Sequence, residues 1–121
     1  MLRTYYNVKI EIMKLLVTGG AGFIGSHTVD LLLKKGYEVR ILDSLQQRVH
    51  PNGKPKYITS NVEFIQGDVS DKKILEKAME GVEGIFHLAA YQDYMSDFSN
   101  FIKANTYSTA LIFEIMVEKK T

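Results

Sequence analysis

Residues 14–25 read Lys-Leu-Leu-Val-Thr-Gly-Gly-Ala-Gly-Phe-Ile-Gly, an apolar strand running into a glycine-spaced turn and then into an amphipathic helix. The glycines at 19, 22 and 25 have the form T-G-x-x-G-x-x-G. A missing side chain at such positions lets the chain turn tightly and lets backbone N–H groups approach phosphate oxygens. The helix that follows, 23–35, points its positive end at the same place, so the stretch is built to hold a dinucleotide pyrophosphate. A glycine triplet alone is weak, because glycine-rich turns occur everywhere. Here a β-rich run precedes it, Ile24, Thr28, Leu31 and Leu32 follow at helical spacing, and an acid, Asp43, ends the next strand.

Outward from this turn, strand and helix patterns alternate with short breaks. Leu15–Thr18 reads as a buried strand, 23–35 as a helix closed by Gly36, and Glu38–Leu42 as a second strand. The stretch 44–60, which contains Pro51-Asn52-Gly53-Lys54-Pro55, reads as an irregular loop. Val62–Gln66 is a third strand, Asp71–Glu80 a helix with Ile74, Leu75, Ala78 and Met79 on one face, and Gly84–Leu88 a fourth strand. In the last helix, 98–118, Phe101, Ala104, Asn105, Ser108, Leu111, Ile112, Ile115 and Met116 fall on one stripe. This βαβαβ order predicts an α/β fold, a Rossmann-like doubly wound parallel sheet that stops after about four strands.

Bulk properties narrow the function classes. A chain of 121 residues, 45% hydrophobic, makes one globular domain at most. Fifteen basic and 14 acidic side chains leave a net charge of +1, so no long-range field recruits nucleic acid. Cysteine is absent, which removes disulfides and thiolate metal sites and fits a reducing compartment. No apolar run approaches the roughly 20 residues of a membrane span, and charges stand where a signal peptide needs its apolar core. The expected setting is cytoplasmic, with no membrane partner and no bound metal.

The ligand of such a sheet sits beyond the carboxyl ends of its strands. Asp43 ends the second strand, where a carboxylate accepts both ribose hydroxyls of an adenosine and repels a 2′-phosphate, which favours NAD over NADP. A loop-capping aspartate is the alternative reading. Gly67-Asp68-Val69 ends the third strand, and Asp68 is placed either to accept a hydrogen bond from the adenine amino group or simply to form a turn. His87-Leu88-Ala89-Ala90 ends the fourth strand with small residues that leave room for a cofactor against backbone. His87 itself reads as a packed strand residue rather than a general base. Asn105 is odd on an apolar stripe, since an unpaired amide there costs stability, so a binding or supporting role is expected.

Thr18-Gly-Gly-Ala-Gly-Phe-Ile-Gly-Ser-His-Thr28, Leu42-Asp-Ser-Leu45, Gly67-Asp-Val69, His87-Leu-Ala-Ala90 and Asn105-Thr106 together resemble the extended short-chain dehydrogenase/reductase family. Within it the chain is most similar to NAD-dependent sugar-nucleotide epimerases and dehydratases, over residues 14–118. The resemblance implies NAD as cofactor. It places Gly19, Gly22, Phe23, Ile24 and Gly25 at the pyrophosphate, Asp43, Ser44 and Leu45 through about Arg48 around the adenosine ribose, and Asp68 and Val69 beside adenine. It puts Leu88, Ala89, Ala90 and Gln92 along the middle of the cofactor, with Asn105 anchoring the last helix nearby. A nucleotide sugar is the substrate it implies for an intact relative.

The chain also departs from that pattern. The family uses a Ser or Thr after a fifth strand and a Tyr-x-x-x-Lys on the next helix, both C-terminal to the helix that ends near Lys120. The tyrosines at 5, 6, 37, 57, 91, 94 and 107 are expected to offer no substitute. The expectation is a cofactor platform, 14–121, without acid–base machinery, so no catalytic residue is assigned. Two function classes stay open: part of an NAD-dependent epimerase or dehydratase, and a stand-alone dinucleotide-binding or partner-complementing module. A redox-sensing domain acting through dimerisation is a third, weaker reading.

Three further expectations concern surfaces. Strand 84–88 would become a sheet edge, inviting self-association there or through helix 98–118, or capping by another segment. Tyr6, Val8, Ile10 and Ile12 alternate with polar residues like a half-exposed strand, so residues 1–13 are an extension that either adds a strand or precedes a true start at Met13. Tyr91, Tyr94, Phe98 and Phe101 read as packing in preference to a substrate wall, and Arg48, His50, Lys54 and Lys56 as a solvated loop.

Overall fold

Leu15, Leu16, Val17 and Thr18 are all buried, as required of a strand covered on both faces. The computed structural model describes residues 2–5 and 8–119. In chain order these form β1 (Leu2–Tyr5), β2 (Val8–Glu11), β3 (Lys14–Thr18), α1 (Phe23–Lys34), β4 (Glu38–Asp43), β5 (Glu63–Gln66), α2 (Lys72–Met79) and β6 (Gly84–His87). They close with α3 (Phe98–Phe101), a π-helical stretch Ile102–Tyr107 and α4 (Ser108–Lys119). The main sheet has the order β5-β4-β3-β6, and all three of its pairings are parallel. This is the expected Rossmann-like sheet, with boundaries displaced by a residue or so.

Alternation along β3 divides the core in two. Leu15 and Val17 face α1, in a cluster with Val29, Leu32, Val39 and Ile41. Leu16 faces the other way, with Leu42, Leu75, Ala78, Met79, Leu111, Ile112 and Ile115, so α2 and α4 cover the opposite face. Asp71 caps α2, its carboxylate accepting the Lys73 and Ile74 N–H groups. At the far end of α2, the Arg40 guanidinium donates to the carbonyls of Ala78 (2.8 Å) and Glu80 (2.6 Å) and to Glu63 (2.7 Å). Arg40 therefore ties β4, β5 and the end of α2 together. Hydrogen bonds from Lys14 and Arg40 hold the Glu63 carboxyl below its ordinary range.

In α1, Gly25, Val29 and Leu32 face the sheet, whereas Ile24 and Leu31 of the helically spaced set are 68% and 54% exposed. The reason is backbone contact. A Cβ on Gly25 would stand 2.0 Å from the Gly19 carbonyl oxygen, so glycine lets the helix rest on the turn and that contact sets the helix's rotation. The last helix is not one regular α-helix, because the π-helical stretch widens it between α3 and α4. Its buried face comes from α4, through Ser108, Leu111, Ile112 and Ile115, whereas Asn105 is exposed.

The N-terminal segment differs as well. It forms two antiparallel strands, with Leu2 opposite Glu11 and Tyr5 opposite Val8, where one added strand was expected. These pair with each other in a separate two-stranded sheet, so β6 stands at an edge of the main sheet without strand capping among the described residues. Tyr6 lies outside the described residues. Tyr5 and Lys9 do stand four apart, the one such Tyr–Lys pair in the chain, but Tyr5 ends β1 and Lys9 lies in β2. They share no helical turn.

Gly25→Ala should cost about 3 kcal/mol in urea unfolding, since the added methyl overlaps backbone with no flexible side chain to yield. Arg40→Ala should cost about 2 kcal/mol, by uncapping the end of α2 and unpairing Glu63.

Candidate cofactor site

The carboxyl ends of the four parallel strands meet at one edge of the sheet. Past the regular ladders, Gly19 N–H donates to the Leu42 carbonyl (2.8 Å), Gly67 N–H to Asp43 (3.0 Å) and Leu88 N–H to Thr18 (3.2 Å). These bonds carry the strand alignment into the loops, so the glycine turn, Asp43, Asp68 and Leu88 converge. Between them and the last helix opens a cleft of about 310 Å³, at the lower end of the range for small-molecule sites.

The glycine turn forms the floor. Gly19 has φ +69°, and a Cβ there would meet the Ala89 backbone nitrogen at 2.8 Å, so glycine is required both by conformation and by the closeness of the 88–90 wall. Gly22 caps α1 without a side-chain hydrogen bond, and the first turn of α1 carries no acid. The N–H groups at the start of α1 are therefore left for an outside acceptor, and the helix dipole favours an anion there.

Asp43 links the floor to the loop after β4. Its Oδ2 accepts the Ala21 N–H (3.0 Å) and its Oδ1 the Leu45 N–H (2.8 Å). Leu45 has φ +52°, an uncommon conformation for a branched residue, and its bond to Asp43 helps hold it. The loop-capping reading of Asp43 is thus real, and the same residue also lines the cleft. On the far side of the turn, the Tyr57 hydroxyl donates to the Ala21 carbonyl, so Ala21 is held from both of its backbone groups. Burial, then the charge of Asp43, raise the Tyr57 phenol above its ordinary range, which keeps it a donor. Sequence reasoning missed Tyr57, because it sits in the irregular 44–60 loop.

The remaining expected residues divide. Gly19, Gly22, Asp43, Ser44, Asp68, Val69, Leu88, Ala89 and Ala90 all line the cleft. Asp68 uses Oδ1 on the Ser70 N–H (2.8 Å) and hydroxyl (2.7 Å), so it forms a turn and borders the cleft at once. Phe23, Ile24, Gly25, Leu45, Gln92 and Asn105 stand outside the lining: Phe23 and Ile24 are exposed at the start of α1, and Gln92 is exposed beyond the wall. Asn105 acts at one remove, its Oδ1 accepting the Tyr91 N–H (2.7 Å) and its Nδ2 donating to the Tyr91 carbonyl (3.0 Å). That paired clasp answers the cost of an amide on this helix, and it holds Tyr91, which does line the cleft.

Lining residues not anticipated are Asn100, Lys103 and Ala104, from α3 and the π-helical stretch. Their i, i+3, i+4 spacing was the available signal. His50 also borders the cleft, and Arg48 pairs with Asp93 from the loop after β6, so loop 44–60 is not merely solvated. The aromatic series splits: Tyr91 meets Phe101 edge to face, with centroids 4.9 Å apart, while Tyr94 and Phe98 are exposed. His87 packs against Thr18 and Ser108, in keeping with a strand residue and not a general base.

These features fit a dinucleotide: a glycine cradle that Cβ atoms would fill, uncapped helix N–H groups, and a carboxylate one strand away. No helix among the described residues is long and apolar enough to cross a membrane.

Comparison with known proteins agrees with this geometry. Residues 15–121 match the model of the NAD dependent epimerase/dehydratase family. A UDP-glucose 4-epimerase of Lactobacillus helveticus is 41% identical over 81 residues, 65% of this chain and 23% of that protein. A 3 beta-hydroxysteroid dehydrogenase/Delta 5-->4-isomerase of Mycobacterium tuberculosis is 37% identical over 87 residues, 70% of this chain and 21% of that protein. The crystal structure of the UDP-glucose 4-epimerase of Thermus thermophilus, a complex with NAD, has a TM-score of 0.76 at 33% identity, over 89% of this chain and 35% of that one. The chain spans about a third or less of the length of these relatives. With the family model matching from β3 to the C-terminal residue, the chain belongs to the NAD dependent epimerase/dehydratase family.

Proposed function

We propose that this chain is the NAD-binding portion of a nucleotide-sugar epimerase or dehydratase. The observation that carries the reading is the placement of the Asp43 carboxylate on the same cleft as the glycine turn and the uncapped start of α1. A pyrophosphate at the helix start leaves the adenosine ribose within reach of Asp43, where a carboxylate accepts the 2′- and 3′-hydroxyls and repels a 2′-phosphate. Asp68 and Val69 then border the adenine, and the Leu88–Ala90 wall borders the middle of the cofactor. Lys103 brings a positive charge to the last helix's side of the cleft. NAD, when bound, supplies hydride acceptance and return.

The chain's own contribution is grip and orientation. The described helices carry no Tyr-x-x-x-Lys, the pair that removes a proton from a sugar hydroxyl in enzymes of this kind, so this reading assigns them no proton transfer. The epimerase reading rests on relatives named UDP-glucose 4-epimerase, among them the Thermus thermophilus protein. The steroid dehydrogenase relative favours a second reading, in which the cofactor half is shared and the substrate is not a sugar nucleotide.

Titration with NAD and NADP should separate cofactor binding from its absence. NAD should raise the thermal midpoint more than NADP at equal concentration, since only ligand bound to the folded state stabilises it. No shift at millimolar NAD would overturn the cofactor reading for this chain. Asp43→Ala should weaken NAD by about tenfold or more in calorimetry, from the loss of charge-assisted hydrogen bonds, and should narrow the NAD-to-NADP difference. An unchanged affinity would remove Asp43 from the ribose role.

A further inference from the structure

Four polar groups run from the cleft wall into the core beneath α4. The Leu88 and Ala89 N–H groups donate to Thr18 Oγ1 at 3.1 and 3.2 Å, and the Leu88 N–H is shared with the Thr18 carbonyl. Thr18 Oγ1 also lies 2.7 Å from His87 Nδ1. His87 Nε2 lies 3.1 Å from Ser108 Oγ, and the Ser108 hydroxyl donates to the Ala104 carbonyl. Thr18 and Ser108 are fully buried, so water does not offer them alternative partners.

Donor and acceptor counting gives this chain a single direction. A hydroxyl has one proton and two lone pairs. Thr18 Oγ1 already accepts from two backbone N–H groups, so its own proton goes to His87 Nδ1, which must be unprotonated. At the other end, the Ala104 carbonyl can only accept, so the Ser108 proton goes there and Ser108 Oγ accepts from His87. Nε2 must therefore carry the proton. The two ends fix the same tautomer independently.

We propose that His87, neutral and protonated on Nε2, is a positioning residue for the cofactor, locking the Leu88–Ala90 wall through Thr18 to the Ser108–Ala104 end of the last helix, and that a second proton on His87 releases this lock and weakens NAD. The proposal rests on the cofactor reading above. A second proton has only Nδ1 to occupy, where it would confront a Thr18 oxygen whose two lone pairs are in use, while the Thr18 proton would lose its acceptor. The wall that Gly19 admits to within backbone contact would then lose its hydroxyl tether. The same last helix holds Tyr91 through Asn105, so both ends of the wall answer to one helix.

Burial alone lowers the proton affinity of His87. The groups against its ring nitrogens, Thr18 and Ser108, do not titrate. The ionisable side chains on the elements packed around it add nothing to that shift: Lys14 on β3, Lys103 and Tyr107 in the π-helical stretch, Tyr91 in the following loop, and Glu114, Glu118 and Lys119 on α4. A folded-state value below the unfolded one means that the stabilising contribution is complete above the ordinary histidine range. It is lost as pH falls from there through the lowered value.

The test has two arms on the whole chain. Nitrogen-15 and carbon-13 shifts of the His87 ring at pH 8 should report the Nε2–H tautomer, and the Nδ1–H tautomer would overturn the proposal whatever the cofactor does. NAD affinity by calorimetry should fall roughly fivefold between pH 8 and pH 5 for the parent. His87→Asn, which keeps an acceptor near the Nδ1 position and does not titrate, should lose most of that pH dependence, any remainder belonging to groups such as His50 on the cleft lining. His87→Leu, which has no acceptor, should bind more weakly than His87→Asn at pH 8. A parent-like pH profile in His87→Asn, or none in the parent, would overturn the coupling. Absence of NAD binding by the parent at pH 8 would instead defeat the cofactor reading and the coupling with it, leaving the tautomer to be judged by the ring shifts.

Discussion

The structure turns on one backbone contact, the seating of α1 on the turn that follows β3. Gly25 lies so close to the Gly19 carbonyl that a single methyl would overlap it, and Gly19 in turn lies against the Ala89 backbone. Three segments far apart in the chain are thereby brought to one edge. The contact aims the start of α1 over the carboxyl ends of the strands, and it determines which residues of α1 face the core. Hydrophobic burial then covers both faces of the sheet, but it does not choose this rotation.

Around that contact the polar groups hold the loops that the fold leaves free. Asp43 and Tyr57 grip the two backbone groups of Ala21, Asn105 grips both backbone groups of Tyr91, and Thr18 receives the wall at Leu88 and Ala89. Each is a side chain satisfying backbone that strand and helix ladders do not reach. The cleft is thus preorganised by hydrogen bonds with definite donors and acceptors, which lowers the ordering cost of ligand binding. It also makes the site sensitive to any group in the network that can change its protonation, and His87, half-buried between the fully buried Thr18 and Ser108, is one such group.

Much of this was legible in the order of residues. The strands and helices followed from apolar runs separated by short breaks, and the glycine spacing with an acid at the end of the next strand located the cleft. Asp43, Asp68 and the 88–90 wall were found because a parallel sheet puts its ligands at strand ends, a rule that needs only topology. The rest depended on contacts that spacing does not encode. Tyr57 reaches Ala21 across 36 residues from a loop without pattern, and His87 meets Thr18 across 69 and Ser108 across 21. The rotation of α1 was not legible, because apolar periodicity counts side chains, while here a missing one, at Gly25, decides. The widened turn between α3 and α4 was invisible to a 3.6-residue stripe, although Asn105 within it signalled an unusual partner.

The central claim is that the glycine turn, Asp43 and the wall after β6 form one NAD site. The most direct measurement is amide chemical-shift mapping of the labelled chain during titration with NAD. The account predicts concerted shifts confined to the glycine turn and the start of α1, Gly19 through Ile24, to Asp43 through Leu45, to Asp68 and Val69, and to Leu88 through Ala90. Shifts scattered over other surfaces, or none at saturating NAD, would contradict it.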